Sequence, residues 1–264
     1  MRRTSSCTIV WSKEVPILFI GSRQSHFSGL VASTIAAVAL SGCGSSSNDA
    51  SASFQWSIYD IEDTAQKSPL SCSEVGASQV AVTLTNQASP QNPFTNLFSC
   101  SLMQASTSSV PAGDYTVGFD LYGDLTTYGN SITLLASFDG SSTYHLYAGT
   151  NDYRSATPPF YVQSILVDWA VYSQGVPTTC AAMGAQYVDL EYTVGGSSTQ
   201  IASRFDCTVA SAGTSFPIPF GAKSVQWQLF LVDPSGQAIV SLPGATVAVP
   251  NKADINLGTQ SFSM

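Results

Sequence analysis

The chain has 264 residues, of which 44% are hydrophobic and only 10% are charged, and its formal net charge at pH 7 is −8. This composition can supply a core for one or two domains and excludes a chain that is disordered throughout. From Cys43 onward five basic residues face sixteen acidic ones, a net charge of −11 that repels phosphate backbones and argues against nucleic acid as a partner.

The first feature along the chain is an apolar run of eleven residues, Leu30 to Leu40, preceded by several basic residues. It is shorter than the about 20 helical residues that span a bilayer, but its length is typical of the apolar region of a signal peptide. The sequence therefore predicts a signal peptide over residues 1–42. Because such leaders usually have about 15–30 residues, either the true start lies downstream of Met1 or the basic region is extended.

The motif Leu40-Ser41-Gly42-Cys43 ends this run and resembles the lipobox of bacterial lipoproteins. In that family the cysteine sulfur receives diacylglycerol, the chain is cut before it, and the new amino terminus is acylated. The resemblance implies lipidation of Cys43, with residues 43–52 as a lipidated tether and the membrane as a partner through the lipid. Gly44, in place of aspartate, further implies the outer membrane in cells that have one, on its periplasmic face or at the cell surface. The alternative is an ordinary secretory cleavage site beside an unmodified Cys43.

Beyond the tether, three signatures occur twice in the same order. The offsets between the copies are nearly constant at 113, 108 and 107 residues, which indicates an internal repeat. The paired segments are Trp56-Ser57-Ile58-Tyr59 with Trp169-Ala170-Val171-Tyr172, Cys72 to Val82 with Cys180 to Leu190, and Phe98-Ser99-Cys100 with Phe205-Asp206-Cys207. The repeat predicts two modules, over residues 53–163 and 164–264.

Both copies show the alternation of apolar and polar residues that is typical of strands with one buried face. Examples are Phe54, Trp56 and Ile58 in the first copy and Val188, Leu190, Tyr192 and Val194 in the second. The predicted fold class is all-β, with two tandem antiparallel β-sandwich modules of immunoglobulin-like or prealbumin-like architecture. The repeat also resembles tandem modules of uncharacterised secreted lipoproteins, a resemblance that implies no particular activity.

Four cysteines remain after Cys7 in the leader and Cys43 at the lipobox, one pair in each copy. Export would place them in a compartment that permits disulfides. Because the two copies should be bridged alike, we expect disulfides between Cys72 and Cys100 and between Cys180 and Cys207. Zinc is the competing interpretation, but the C-x₂-C spacing of most zinc sites is absent from the sequence.

No catalytic constellation is predicted. His145 is the one histidine after Cys43, and no G-x-S-x-G motif accompanies it. The acidic segment Asp60 to Asp63, and the pair Asp120 and Asp124, lack the D-x-[DN]-x-[DN]-G pattern of a calcium loop, so we interpret them as solvated turns rather than a metal site. No cofactor is expected.

Exposed aromatic rings can stack on sugars, and tyrosines are dense between Tyr122 and Tyr161. We consider Tyr144 and Tyr147 as speculative ligand-binding residues, against the alternative that these rings fill the core. The leading hypothesis is a lipid-anchored envelope protein with a non-enzymatic binding or structural role. A carbohydrate-binding or adhesive module is the alternative, with a glycan or an envelope protein as partner, and a hydrolase using His145 comes third.

Overall fold

The computed structural model describes residues 48–129, 132–195 and 197–264. The leader, Cys43 and the beginning of the tether lie outside the described residues, so the signal peptide and the lipidation stay predictions. The described chain consists of β-strands with three short 3₁₀ helices, which confirms the all-β class. No helix in this part of the chain has the length and apolar character needed to cross a membrane.

Ten strands form the first half of the described chain. They are β1 (Asp49–Gln55), β2 (Ile58–Asp60), β3 (Ala77–Asn86), β4 (Phe94–Ser99), β5 (Gln104–Ser106), β6 (Val110–Pro111), β7 (Gly113–Gly123), β8 (Leu134–Leu146), β9 (Gly149–Asp152) and β10 (Phe160–Val162). One antiparallel sheet has the order β4-β3-β7-β8. On the other side, β1 pairs with β5 and β6 in antiparallel fashion and with β9 in parallel, and β2 pairs in parallel with β10.

The second half repeats this arrangement with eight strands. They are β11 (Ile165–Ser173), β12 (Val176–Thr178), β13 (Tyr187–Val194), β14 (Gln200–Asp206), β15 (Ala212–Thr214), β16 (Ser224–Val232), β17 (Ala238–Ala248) and β18 (Ile255–Ser263). One sheet has the order β14-β13-β16-β17, and in the other β11 pairs with β12, β15 and, in parallel, β18. Within the described residues no sheet combines strands from both halves, as tandem modules require.

The repeated signatures meet inside each half. Trp56 is 1% exposed and stacks on Phe98 at a centroid distance of 6.3 Å, while Trp169 stacks on Phe205 at 5.7 Å. Next to each pair lies a disulfide, Cys72–Cys100 in the first half and Cys180–Cys207 in the second. The tryptophan and the phenylalanine come from opposite sheets, so the signatures hold the two layers of each sandwich together.

Two features differ from the sequence-based expectation. Each half contains a parallel pair that involves its first strand, β1 with β9 and β11 with β18, whereas alternation predicts which side chains are buried but not the direction of the neighbouring strand. The tether also ends earlier than expected, because residues 49–52 belong to β1 and Ala50 and Ala52 are buried. Because alanine has little apolar surface to bury, its alternation with serine is too weak a signal to predict a strand from the sequence.

The two halves pack against each other within one compact unit, Gly44–Met264. Only Gln163 and Ser164 separate β10 from β11. The Tyr128 hydroxyl, from the first half, donates to the Pro217 carbonyl at 3.2 Å, and the Phe220 amide donates to the Leu134 carbonyl at 2.7 Å. These hydrogen bonds join the modules beyond their covalent link.

A substitution at Gly213 on β15 can test the packing around Trp169, the tryptophan of the second half. A Cβ atom at this position would lie 2.5 Å from Cδ1 of Phe205, so Gly213→Ala should lower the free energy of unfolding by about 1–3 kcal/mol. In a Phe205→Leu background the ring is gone, and adding Gly213→Ala should cost clearly less. A double-mutant cycle from urea unfolding measures this coupling, and additive effects of the two substitutions would contradict the described contact.

Candidate binding sites

Tyr144 lies in the core of the first half. Its side chain is edge-to-face with Phe54 and Tyr153, its hydroxyl donates to the Ala156 carbonyl at 3.2 Å, and the residue is 7% exposed. Burial raises the pKa of the Tyr144 phenol. A ring that stacks on a sugar must have at least one face open to solvent. The buried ring of Tyr144 does not, so its speculative ligand-binding role is corrected to a packing role.

Tyr147 lies at the surface, with 67% of the residue exposed. Its ring contacts the imidazole of His145 at a centroid distance of 4.4 Å, and Nδ1 of His145 lies 2.6 Å from Oδ1 of Asp114. A hydrolase would need a nucleophile beside this imidazole. Among the hydrogen bonds of the described residues, none joins the His145 ring to a serine hydroxyl or a thiol.

Asp63 and Asp124 lie in turns, whereas Asp120 lies within β7 and accepts a hydrogen bond from the Ser137 hydroxyl at 2.6 Å, so the expectation of a solvated turn is wrong for Asp120. Asp63 accepts a hydrogen bond from the Ser68 amide at 2.8 Å, which is the main reason why its pKa is lowered. Asp124 accepts from the amides of Thr126 and Thr127. In the described ranges no group of three histidine, cysteine, aspartate or glutamate side chains is arranged to hold a metal ion.

A cleft lies beside the disulfide in each half. The first has a volume of about 710 Å³ and the second about 450 Å³, both within the range of about 300–1,000 Å³ that is usual for small-molecule sites. The first cleft is lined by residues that include Leu70, Ser71, Cys72, Ser99, Ser101 and Met103, and the second by residues that include Thr178, Thr179, Cys180, Cys207, Thr208 and Ala210. We name these surfaces the disulfide clefts.

The two disulfide clefts occupy corresponding positions of the repeat. Ser71 corresponds to Thr179 and Ser101 corresponds to Thr208, so a hydroxyl side chain precedes the first cysteine and follows the second in both copies. The next residues, Leu102 and Val209, are 58% and 81% exposed. The repeated hydroxyl positions line the clefts and are the signal through which the sequence could have indicated them, and sequence reasoning missed it.

A third site lies on the outer face of the β13–β14–β16 sheet. It is a depression of about 190 Å³ whose outward side chains are Glu191, Thr193, Gln200, Gln226 and Gln228. The strand register explains this cluster, because Thr193 lies opposite both Gln200 and Gln226, and Glu191 lies opposite Gln228. We name it the amide depression.

The electrostatics of the amide depression centre on one carboxylate. Glu191 accepts a hydrogen bond from the Gln200 amide, and burial, with a smaller contribution from Asp189, raises the pKa of Glu191. Asp189 itself is paired with the Arg204 guanidinium through bonds of 2.8 and 2.7 Å. The site therefore offers uncharged donors and acceptors around the carboxylate of Glu191, which forms no ion pair within the described residues.

The contrast between the two tyrosines can be tested through stability. Tyr144→Ala should lower the free energy of unfolding by about 3 kcal/mol, since it opens a cavity between Phe54 and Tyr153. Tyr147→Ala serves as the matched control and should change it by less than about 0.5 kcal/mol. Chemical denaturation monitored by circular dichroism measures both, and equal effects of the two substitutions would refute the assignment.

No family model and no curated protein matches this chain. Among solved structures, it is similar to a leucine-rich repeat protein from Bacteroides thetaiotaomicron, with 13% identity over 83% of this chain and 27% of that one at a TM-score of 0.28. It is also similar to a candidate adhesin from Bacteroides ovatus (9% identity, 80% and 88% coverage, TM-score 0.33) and to a candidate polysaccharide-binding protein from Bacteroides thetaiotaomicron (11%, 74% and 80%, 0.35). The chain spans about a quarter of the first of these. Likenesses this low do not identify a family for it.

Proposed function

We propose that this chain is a lipid-anchored protein of the cell envelope with a non-enzymatic binding role, and that the disulfide clefts are its binding sites. The observation that carries the proposal is the recurrence of a cleft of small-molecule size at the same place in both halves. Attachment through acyl chains on Cys43, to the outer membrane where the cell has one, rests on the lipobox resemblance.

The surroundings of the disulfide clefts suit a preformed site. The Trp56–Phe98 and Trp169–Phe205 stacks and the two disulfides restrain the walls before any ligand arrives, so little conformational entropy is lost on binding. Serine and threonine hydroxyls supply donors and acceptors around a floor of sulfur and aliphatic atoms. Two equivalent clefts on one chain also favour a ligand with repeated units, because the second contact becomes intramolecular.

A carbohydrate-binding or adhesive role is the second candidate, and the amide depression is the observation that favours it. Its three glutamines present planar amides with two donors and one acceptor oxygen each, next to the carboxylate of Glu191. Such groups match the hydroxyls of a polysaccharide. A hydrolase is less well supported, since the His145 and Asp114 pair lacks a nucleophile among the described residues.

The membrane anchor is tested by Cys43→Ser. Without the sulfur no thioether to lipid can form, so the variant should move from the membrane fraction to the soluble fraction while both disulfides still form. Cys7→Ser, which changes a leader cysteine outside the lipobox, is the control and should leave the protein in the membrane fraction. Firm membrane retention of Cys43→Ser after a carbonate wash would rule out this anchor.

The binding sites are tested on arrays of glycans and envelope polysaccharides with the compact unit Gly44–Met264. Ser101→Trp and Thr208→Trp should each fill one disulfide cleft and weaken binding about tenfold, and their combination should weaken it further because two contacts are lost. Gln226→Ala with Gln228→Ala removes the amide depression instead. Gln79→Ala, on the outer face of β3, is the control for surface amides.

The outcome separates the candidates. Binding lost only in the tryptophan variants supports the disulfide clefts, and binding lost only in the Gln226 and Gln228 variant supports the amide depression. Binding that survives all of these substitutions would remove both surfaces from consideration.

A further inference from the structure

A buried carboxyl group lies where the two halves meet. Asp254, just before β18, is 7% exposed, and its Oδ1 accepts a hydrogen bond of 2.6 Å from the amide of Ser164 in the link between the halves. Two acids from the end of β2 approach it from the first half. Glu62 accepts a hydrogen bond from the Asp254 amide at 3.3 Å. Asp60 lies opposite Val162 in the β2–β10 ladder, two residues before Ser164, and its carboxyl acts electrostatically on that of Asp254.

A hydrogen bond between two carboxyl groups requires one proton, because ionised carboxylates can only accept. The groups that act on Asp254 favour this protonated state. Burial first, and then the negative charges of Asp60 and Glu62, raise the pKa of Asp254 from its ordinary value of 3.8 to about 7, against the lowering effect of the Ser164 amide. Lys252, two residues before Asp254 in the chain, is exposed to solvent.

The surrounding hydrogen bonds show why this proton matters to the junction. Nε2 of Gln163 donates to the carbonyls of Pro250 at 2.8 Å and of Ala253 at 2.7 Å, and the Ile255 amide donates to the Ser164 carbonyl at 3.0 Å. Asp254 thus lies in the turn that is hydrogen-bonded to the two-residue link, Gln163 and Ser164. Losing the proton would leave the buried Asp254 carboxylate beside the negative charges of Asp60 and Glu62 from the other half, and like charges repel strongly where one of them is poorly solvated.

We propose that the Asp60–Asp254 carboxyl pair is a proton-dependent latch between the two halves: a shared proton holds them in one orientation, and its loss loosens the junction. The latch is independent of the lipid anchor and of the binding sites. Because the pKa is raised in the folded state, this stabilisation is complete below about pH 4 and is lost as the pH rises to about 7. Over that interval the equilibrium constant for unfolding should rise by up to about tenfold per pH unit.

The test compares wild type with Asp254→Asn in the unit Gly44–Met264 by small-angle X-ray scattering and urea unfolding from pH 5 to 8.5. Asparagine keeps an acceptor oxygen for Ser164 and a permanent donor for Asp60, so it imitates the protonated acid. The wild type should expand and lose stability as the pH rises, whereas Asp254→Asn should stay compact throughout. Asp233→Asn, an exposed carboxylate in the β16–β17 turn, is the control and should keep the scattering profile of the wild type.

Wild-type scattering that is unchanged from pH 5 to 8.5 would overturn the latch, as would an Asp254→Asn variant with the same pH dependence as the wild type. Compaction restored at pH 8.5 by millimolar calcium would also overturn it, because the cluster would then respond to a cation rather than to a proton. If Asp254→Asn fails to fold, ¹³C titration of aspartate carboxyls in the wild type decides. One carboxyl titrating near neutrality supports the latch, and titration of all aspartates below about pH 5 contradicts it.

Discussion

In each half the first strand is hydrogen-bonded in parallel to a strand at or near the end of that half, β1 to β9 and β11 to β18. This ladder closes the smaller sheet and thereby fixes the tryptophan that faces the opposite sheet. In the first half β10 pairs in parallel with β2, and only two residues then link it to β11. The second disulfide cleft is lined in part by β11, and Asp254 of the carboxyl junction directly precedes β18, so both border this ladder.

The two halves share a scaffold but not a surface. Both keep the tryptophan, the phenylalanine, the disulfide and the cleft with its hydroxyl rim. The amide depression lies on the outer sheet face of the second half, where Gln226 and Gln228 occupy β16. At corresponding positions of the strand register in the first half, β7 carries Thr116 and Gly118 instead. A duplicated scaffold of this kind can retain one common contact while a second, distinct contact develops on one copy.

Much of this architecture could be predicted from local pattern. Alternation located the long strands, and the correspondence of the copies predicted both cysteine pairs, because a repeat is expected to be bridged alike. Local pattern did not predict the features that depend on contacts between residues far apart in the chain. Ala50 and Ala52 become a strand only through pairing with β6 and β9, and Tyr144 is buried only because Phe54 and Tyr153 surround it. Asp254 and Glu62 are 192 residues apart, so neither carries a local sign of their contact.

The parallel closure has a mechanical consequence. A tensile load applied to the second half, between the beginning of β11 and the end of β18, pulls these two neighbouring strands past each other in shear. The backbone hydrogen bonds between them must then break nearly at the same time, rather than one after another. Such a geometry resists extension better than a hairpin opened from its end, which would suit a domain held at one side while something drags on the other.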